Sequence, residues 1–326
     1  MTENRLEIAP AVTETAEDIA SMEIRGAAAI ADAAASALAT QAETSEASSP
    51  TQFRDQLQEA SRTLYETRPT AVSLPNALRY VLRGMEGTSV PELRSSTIAR
   101  AESFRTDLEV AQEKLGRVGA NRLRDGDTVM THCHSTDALS CVRQALEDGK
   151  ELEAIVKETR PRNQGHISAR QLREWGVPVT LIVDNAAHRY LDDADHVLVG
   201  ADSIAADGSV INKIGTSGLA VSARDRGVPV TVAAQTLKLH PDTMTGHTVE
   251  IETRDELEVL SETARLEITG GESDDPGLDV ENPAFDVTPP RYVDAIVTEH
   301  GQFPPESVVM LMRELFGETT EEPWEQ

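Results

Sequence analysis

A cysteine, an aspartate and two lysines stand in this sequence where a phosphorylated ligand could be held and a proton moved. Cys133 lies in His132-Cys133-His134-Ser135-Thr136-Asp137, after a β-branched run, Thr128–Thr131, and before a helical pattern, Asp137–Glu147. A thiol at a strand end beside a helix amino terminus sits where the helix dipole lowers its pKa. Ser135 and Thr136 add hydroxyls and backbone N–H groups suited to a phosphate. The same residues also fit a helix cap beside an inert buried cysteine, and the local sequence leaves both readings open. Cys141 falls inside the helical pattern and reads as packing.

The second loop, Gly200-Ala201-Asp202-Ser203-Ile204, follows a strand at His196–Val199 and projects Asp202 from its carboxyl edge. Asn212 and Lys213, in Asn212-Lys213-Ile214-Gly215-Thr216, precede a helix from Thr216 and offer an anion an amide, a point charge and backbone donors. The glycine spacing is not that of a Walker loop. The structural alternative makes Asp202 a turn cap and Asp207-Gly208 a hairpin-type turn. Lys238 lies in a third loop, Gln235 to Pro241, after Val228–Ala233. Lysine occurs only at 114, 150, 157, 213 and 238, against 25 arginines, so a lysine in a strand-end loop is informative. In the amino-terminal region Arg25-Gly26-Ala27-Ala28 joins two helical stretches, where a glycine lets a backbone N–H approach an anion. Arg68-Pro69-Thr70 fixes a guanidinium in a turn. Each of these two is weak alone.

The elements that must position these groups divide into two textures. Residues 1–120 read as helical: Thr13–Glu23, Ala27–Ala39, then 52–65, 75–85 and 91–118, with 42–51 as an exposed linker. Beyond Asp125-Gly126, β-branched runs at Thr128–Thr131, Ala154–Lys157, Val179–Val183, His196–Val199, Val228–Ala233 and Ala295–Thr298 alternate with helical patterns at Asp137–Glu147, Ser168–Trp175, Ala186–Leu191 and Thr216–Arg226. The fold class is therefore α/β: an N-terminal helical domain, 1–120, followed by a mainly parallel sheet with helices on both faces, 121–326. Ligands of such sheets bind beyond the carboxyl ends of the strands. Gly270 to Asn282 reads as a solvated acidic loop.

Composition excludes several classes. The 326 residues carry 30 Lys+Arg and 56 Asp+Glu, a net charge of −26, which repels nucleic-acid backbones and anionic membrane surfaces. No apolar run reaches the ~20 residues that span a bilayer, and no secretory signal pattern opens the chain. The spread of carboxylates suits a protein kept soluble at high internal salt. Cys133 and Cys141 would lie ~12 Å apart along a helix, beyond disulfide reach; free thiols suit a cytoplasmic location. No zinc-ligand spacing is present.

Together, Glu158-Thr159-Arg160-Pro161 with Gln164-Gly165, Gly200-Ala201-Asp202, Asn212-Lys213-Ile214-Gly215-Thr216, and Asn282-Pro283-Ala284-Phe285-Asp286-Val287-Thr288-Pro289-Pro290 resemble the family that joins sugar-phosphate isomerases to the regulatory subunits of initiation factor 2B. The first and last motifs are common to both branches. The cysteine loop is similar to that of the archaeal ribose-1,5-bisphosphate isomerases, except that His132, His134 and Asp137 replace the small residues usual there. The resemblance covers nearly the whole chain and implies a Rossmann-like catalytic domain and self-association through it as a dimer or a hexamer built as a trimer of dimers; the proton transfers given below need no metal or organic cofactor. It implies Cys133 and Asp202 as the catalytic pair. Arg25, Gly26, Ala27, Ala28, Arg68, Ser135, Thr136, Asp137, Asn212, Lys213 and Lys238 would hold a phosphorylated pentose, Asp137 and Ala28 through backbone only.

The implied reaction, in AMP breakdown, turns ribose 1,5-bisphosphate into ribulose 1,5-bisphosphate. Asp202, its pKa raised by an apolar and water-poor pocket, protonates the ring oxygen, while Cys133, lowered by the helix start, takes the C2 proton. The competing expectations are a non-catalytic regulatory binding protein of the same fold and a methylthioribose-1-phosphate isomerase.

Overall fold

A computed structural model describes residues 8–24, 26–68, 71–249, 251–271, 276–316 and 324. The chain divides into two compact units. One comprises Met1–Gln112, Thr236–Asp242 and Met310–Gln326; the other comprises Glu113–Gln235 and Thr243–Val309. This division is less simple than a cut at 120, because two later segments return to the helical unit.

The helical unit contains α1 (Pro10–Ala20), α2 (Ala27–Thr44), α3 (Pro50–Tyr65), α4 (Ser73–Arg83) and most of α5 (Val90–Ala120). Alanines at 31, 34, 35 and 42 let the neighbours of α2 approach closely, while Phe53, Leu57 and Leu64 set the buried stripe of α3 at helical spacing. The expected linker over 42–51 is shorter than its composition suggested. Helix α2 continues to Thr44, Ser45 Oγ donates to Gln56 Oε1 at 2.6 Å, and Ser49 caps α3 by accepting from Gln52 N.

The α/β unit contains β1 (Thr128–Thr131), α6 (Thr136–Glu147), β2 (Glu153–Lys157), α7 (Gly165–Glu174), β3 (Val179–Ile182), α8 (Ala187–Tyr190), β4 (His196–Val199), β5 (Ser203–Ala205), β6 (Val210–Lys213), α9 (Thr216–Arg226) and β7 (Val230–Ala233). The short strand β8 (Leu239–His240) belongs to the helical unit. Back in the α/β unit come α10 (Glu262–Thr269), β9 (Phe285–Thr288), β10 (Ala295–Thr298) and β11 (Gly301–Phe303), followed by α11 (Val308–Phe316), which passes into the helical unit.

Seven strands form one sheet in the order β11-β10-β7-β4-β1-β2-β3, parallel except for β11. Its central strands are buried on both faces, and Leu139, Val142 and Leu172 from the covering helices pack with Val129, Val156 and Leu198. No sequence expectation covered the second sheet, in which β6 pairs antiparallel with both β5 and β9. Asp207-Gly208 is its hairpin turn, with Gly208 N donating to Ala205 O at 2.9 Å. The loop expected to be solvated over 270–282 is anchored at its far end, where buried Asn282 donates through Nδ2 to Asp255 O at 2.7 Å; residues 272–275 lie outside the described residues.

Candidate active site

The order of the large sheet decides where a site can form. From β1 the chain winds through β2 to β3 on one side, then returns to β4 on the other. The loops leaving the carboxyl ends of β1 and β4 therefore diverge and leave a crevice between them. Cys133 lies in the first loop and Asp202 in the second. These loops touch at their bases: a Cβ on Gly200 would lie 2.2 Å from Ser135 Oγ, so only glycine lets β4 pass the start of α6.

Cys133 is held in an unusual backbone state. Its φ is +68°, and Thr159 and Asn163 in the neighbouring β2 loop share the left-handed region at +65° and +56°. Non-glycine residues stay there only where their surroundings fix them. Cys133 N donates to Thr159 Oγ1 at 2.9 Å, and its carbonyl accepts from Ser168 Oγ at 2.7 Å.

The expected lowering of this thiol by the helix start is not what the geometry gives. Burial, joined by the negative charge of Asp202, pushes the Cys133 thiol up against the opposing pull of the His134 backbone N–H, Lys213 and Arg254. At the start of α6, Ser135 is the cap: its Oγ accepts from Ala138 N at 3.2 Å. Asp137 is buried, and its carboxylate accepts from Gln235 Nε2 at 2.8 Å, so the side chain tethers the loop after β7. Thr136 is exposed. Cys141 is fully buried in α6 with its thiol pushed up to about 12 by burial, as befits a packing residue.

Asp202 is exposed, contrary to the expected water-poor pocket, and its backbone N–H donates to Ile211 O at 2.9 Å. That bond ties the β4 loop to β6, which carries Asn212 and Lys213. Asn212 Nδ2 donates to Thr216 Oγ1 at 2.9 Å. Lys213 is buried, with Nζ 4.6 Å from the centroid of the Phe285 ring. Burial, then the nearby charge of Arg254, lower its pKa, and Cys133 and Asp202 raise it. The backbone donors expected to meet an anion at the start of α9 are already taken. Gly215 N donates to Asp286 Oδ2 at 2.7 Å, and Ser217 N lies 3.1 Å from both carboxylate oxygens. The carboxylate of Asp286 on β9 thus fills the place a phosphate would take.

A second set of ionisable groups lies beneath this loop, and sequence reasoning missed it. Lys157, at the end of β2, is buried and donates through Nζ to Gly215 O at 3.1 Å; burial lowers its pKa while Asp184 and Asp286 raise it. His132 is also buried, with Nε2 2.8 Å from Ile214 O, which places its proton on that nitrogen. Burial and the charge of Lys157 lower its pKa to about 4. The ring is neutral at pH 7, and its 3.8 Å approach to Asp184 is a contact without an ion pair. Asp184 instead accepts from Thr159 N and Arg160 N at 2.9 and 2.7 Å. The scarcity of lysine was the one signal that could have drawn attention to Lys157.

The remaining expected site residues belong to the helical unit. Gly26, with φ +93°, is the residue before α2, whose first residues Ala27 and Ala28 are not buried. Arg68 is half-buried in the turn after α3, and Lys238 half-buried in the turn Thr236–Lys238. Arg25 lies outside the described residues, as do Pro69 and Thr70. No helix among the described residues is long and apolar enough to cross a membrane.

Comparison with known proteins agrees with this architecture. A ribose 1,5-bisphosphate isomerase of Haloterrigena turkmenica is 77% identical over 320 residues, covering 98% of each chain. Among solved structures, the Pyrococcus horikoshii translation initiation factor eIF-2B matches with a TM-score of 0.72 at 30% identity, covering 93% of this chain and all of that one. The 5-methylthioribose 1-phosphate isomerase of the same organism matches at 0.70 and 35%, covering 94% and 87%. Residues 23–305 fit the model of the initiation factor 2 subunit family, and the chain belongs to that family.

Proposed function

We propose that this protein is an isomerase converting ribose 1,5-bisphosphate into ribulose 1,5-bisphosphate, with Cys133 and Asp202 moving the protons. The observation that carries this reading is the position of these two residues in the loops flanking the crossover of the sheet, in a chain matched along its length by an isomerase of that name. A regulatory binding protein of this fold requires neither group.

The substrate is a closed furanose. Its conversion breaks the bond between C1 and the ring oxygen, removes the C2 proton and delivers one to C1. Asp202 protonates the ring oxygen while the Cys133 thiolate takes the C2 proton, leaving an enol that keeps its phosphate on C1. Cys133 then protonates C1, and Asp202 recovers a proton from the C2 hydroxyl as it becomes the ketone. Each residue ends as it began. The pair needs one proton on Asp202 and none on Cys133. Because burial favours the thiol, the cations beside it must hold the thiolate when the substrate covers Asp202. Well-placed proton transfer contributes ~10²–10⁴-fold per group, and positioning by the two phosphates supplies much of the rest.

The expected outcome is that Cys133→Ser or Asp202→Asn abolishes turnover of ribose 1,5-bisphosphate while circular dichroism stays unchanged. Near-normal turnover by either folded variant would refute the assignment. Assay of the methylthio sugar in parallel distinguishes the second isomerase reading. A cytoplasmic setting at high salt and a homo-oligomeric state belong to the same proposal, and the net charge of −26 with the haloarchaeal relative supports its high-salt part.

A further inference from the structure

One aromatic ring in the α/β unit carries two cations. Phe285, at the start of β9, has Lys213 Nζ 4.6 Å and Arg254 Cζ 5.9 Å from its ring centroid. Arg254 is placed by its backbone: the segment 252–254 runs beside 282–284, with Ala284 N donating to Glu252 O at 2.8 Å, Arg254 N donating to Asn282 O at 2.9 Å, and Thr253 bridging Pro283. Its guanidinium is bonded through Nε to Glu252 Oε1 at 2.9 Å. Among the described residues, neither its terminal amino groups nor the ammonium of Lys213 donates a hydrogen bond to the protein. Like charges held this way repel, and neither the Lys213 ammonium nor the Arg254 terminal amino groups are sealed from solvent, so both stay open to an outside acceptor. The arrangement gains a purpose only with an anion between them. Both cations also act on the Cys133 thiol, which places the anion's seat beside it.

We propose that Arg254 joins Lys213 in seating one phosphate of the substrate, its two terminal amino groups gripping adjacent phosphate oxygens as a planar guanidinium does, while Glu252 aims it through Nε. This inference rests on the reaction proposed above but assigns a residue that neither the motifs nor the loop reading pointed to.

The test measures binding of inorganic phosphate by calorimetry, and turnover of ribose 1,5-bisphosphate, in the full-length protein and in Arg254→Ala and Arg254→Lys. Loss of a charge-assisted contact predicts that Arg254→Ala raises KM and weakens phosphate binding roughly 10- to 100-fold, with kcat changed far less. Arg254→Lys, which keeps the charge but not the fork, should fall between. Unchanged KM and phosphate affinity in a folded Arg254→Ala protein overturn the proposal and leave the isomerase reading standing. Arg254-dependent phosphate binding in a protein that does not turn over ribose 1,5-bisphosphate has the opposite meaning: the seat is real and the reaction is wrong.

Discussion

Two charged clusters in the α/β unit each hold a buried lysine and differ in how the side chains around it are partnered. In the first, His132, Lys157, Asp184 and Asp286 bind backbone: Lys157 and His132 hold the carbonyls of Gly215 and Ile214, and the two carboxylates hold the N–H groups of residues 159, 160, 215 and 217. In the second, Lys213 and Arg254 flank an aromatic ring next to Cys133; Arg254 gives only its Nε to Glu252, and among the described residues its terminal amino groups and the Lys213 ammonium donate to no protein acceptor. Burial alone does not separate them, since Lys157 and Lys213 are 3% and 6% exposed. What separates them is whether the donors are satisfied by the chain. The first cluster shapes the loops, and the second is shaped to receive something.

The largest expected effect divides the two lysines. Lys157→Met leaves Asp184 and Asp286 without their buried cation and should cost about 3–5 kcal/mol of stability. Lys213→Met removes a cation whose partner is an aromatic face and should change stability by less than about 1 kcal/mol, while raising KM. Denaturant titration of both variants at one fixed salt concentration checks the pair. Equal losses of stability would erase the distinction between the clusters.

A smaller effect of the first cluster appears on acidification. The pKa of His132 falls from 6.5 to about 4 on folding, so between these values the unfolded chain binds the proton that the folded chain refuses. Stability from this group is complete above pH 6.5 and is lost as pH falls through 4, by about 3 kcal/mol. The measurement is the difference in acid sensitivity between wild type and His132→Gln over that window. A variant whose acid limb is as steep as the wild type's would show that the ring does not titrate as its burial requires.

These clusters also mark how far the sequence could be read. Strands at Thr128–Thr131, His196–Val199 and Ala295–Thr298 and the helix Thr216–Arg226 fall at the bounds their patterns predicted, because β-branched runs between turn residues and helical spacing are local signals. The sheet of β5, β6 and β9 was not legible, since its strands have three or four residues and β9 is distant in sequence. The same distance hid the filling of the α9 start by Asp286. Cys133 and Asp202 stood out because crossover loops follow strand ends. Lys157 was concealed inside a strand that read as core, and Arg254 is one of 25 arginines. The direction of the Cys133 shift was misjudged for a physical reason: the dipole argument suits a thiol near solvent, whereas here burial outweighs it.

The smallest expected effect tests whether the start of α6 belongs to one cluster's logic or the other's. Ser135 Oγ satisfies the N–H of Ala138, so Ser135→Ala should cost about 1 kcal/mol through the lost cap. That loss alone does not say whether the hydroxyl or nearby N–H groups also meet a phosphate. Ser135→Asp separates the two roles, because aspartate caps as well as serine and favours a helix amino terminus. If Ser135 only caps, the Asp variant keeps both stability and KM. If a substrate phosphate rests on this helix start, the added carboxylate faces an anion and raises KM while stability holds. Comparing KM with the denaturation midpoint for the two variants therefore assigns α6 to structure or to binding, an assignment that the cap bond leaves open.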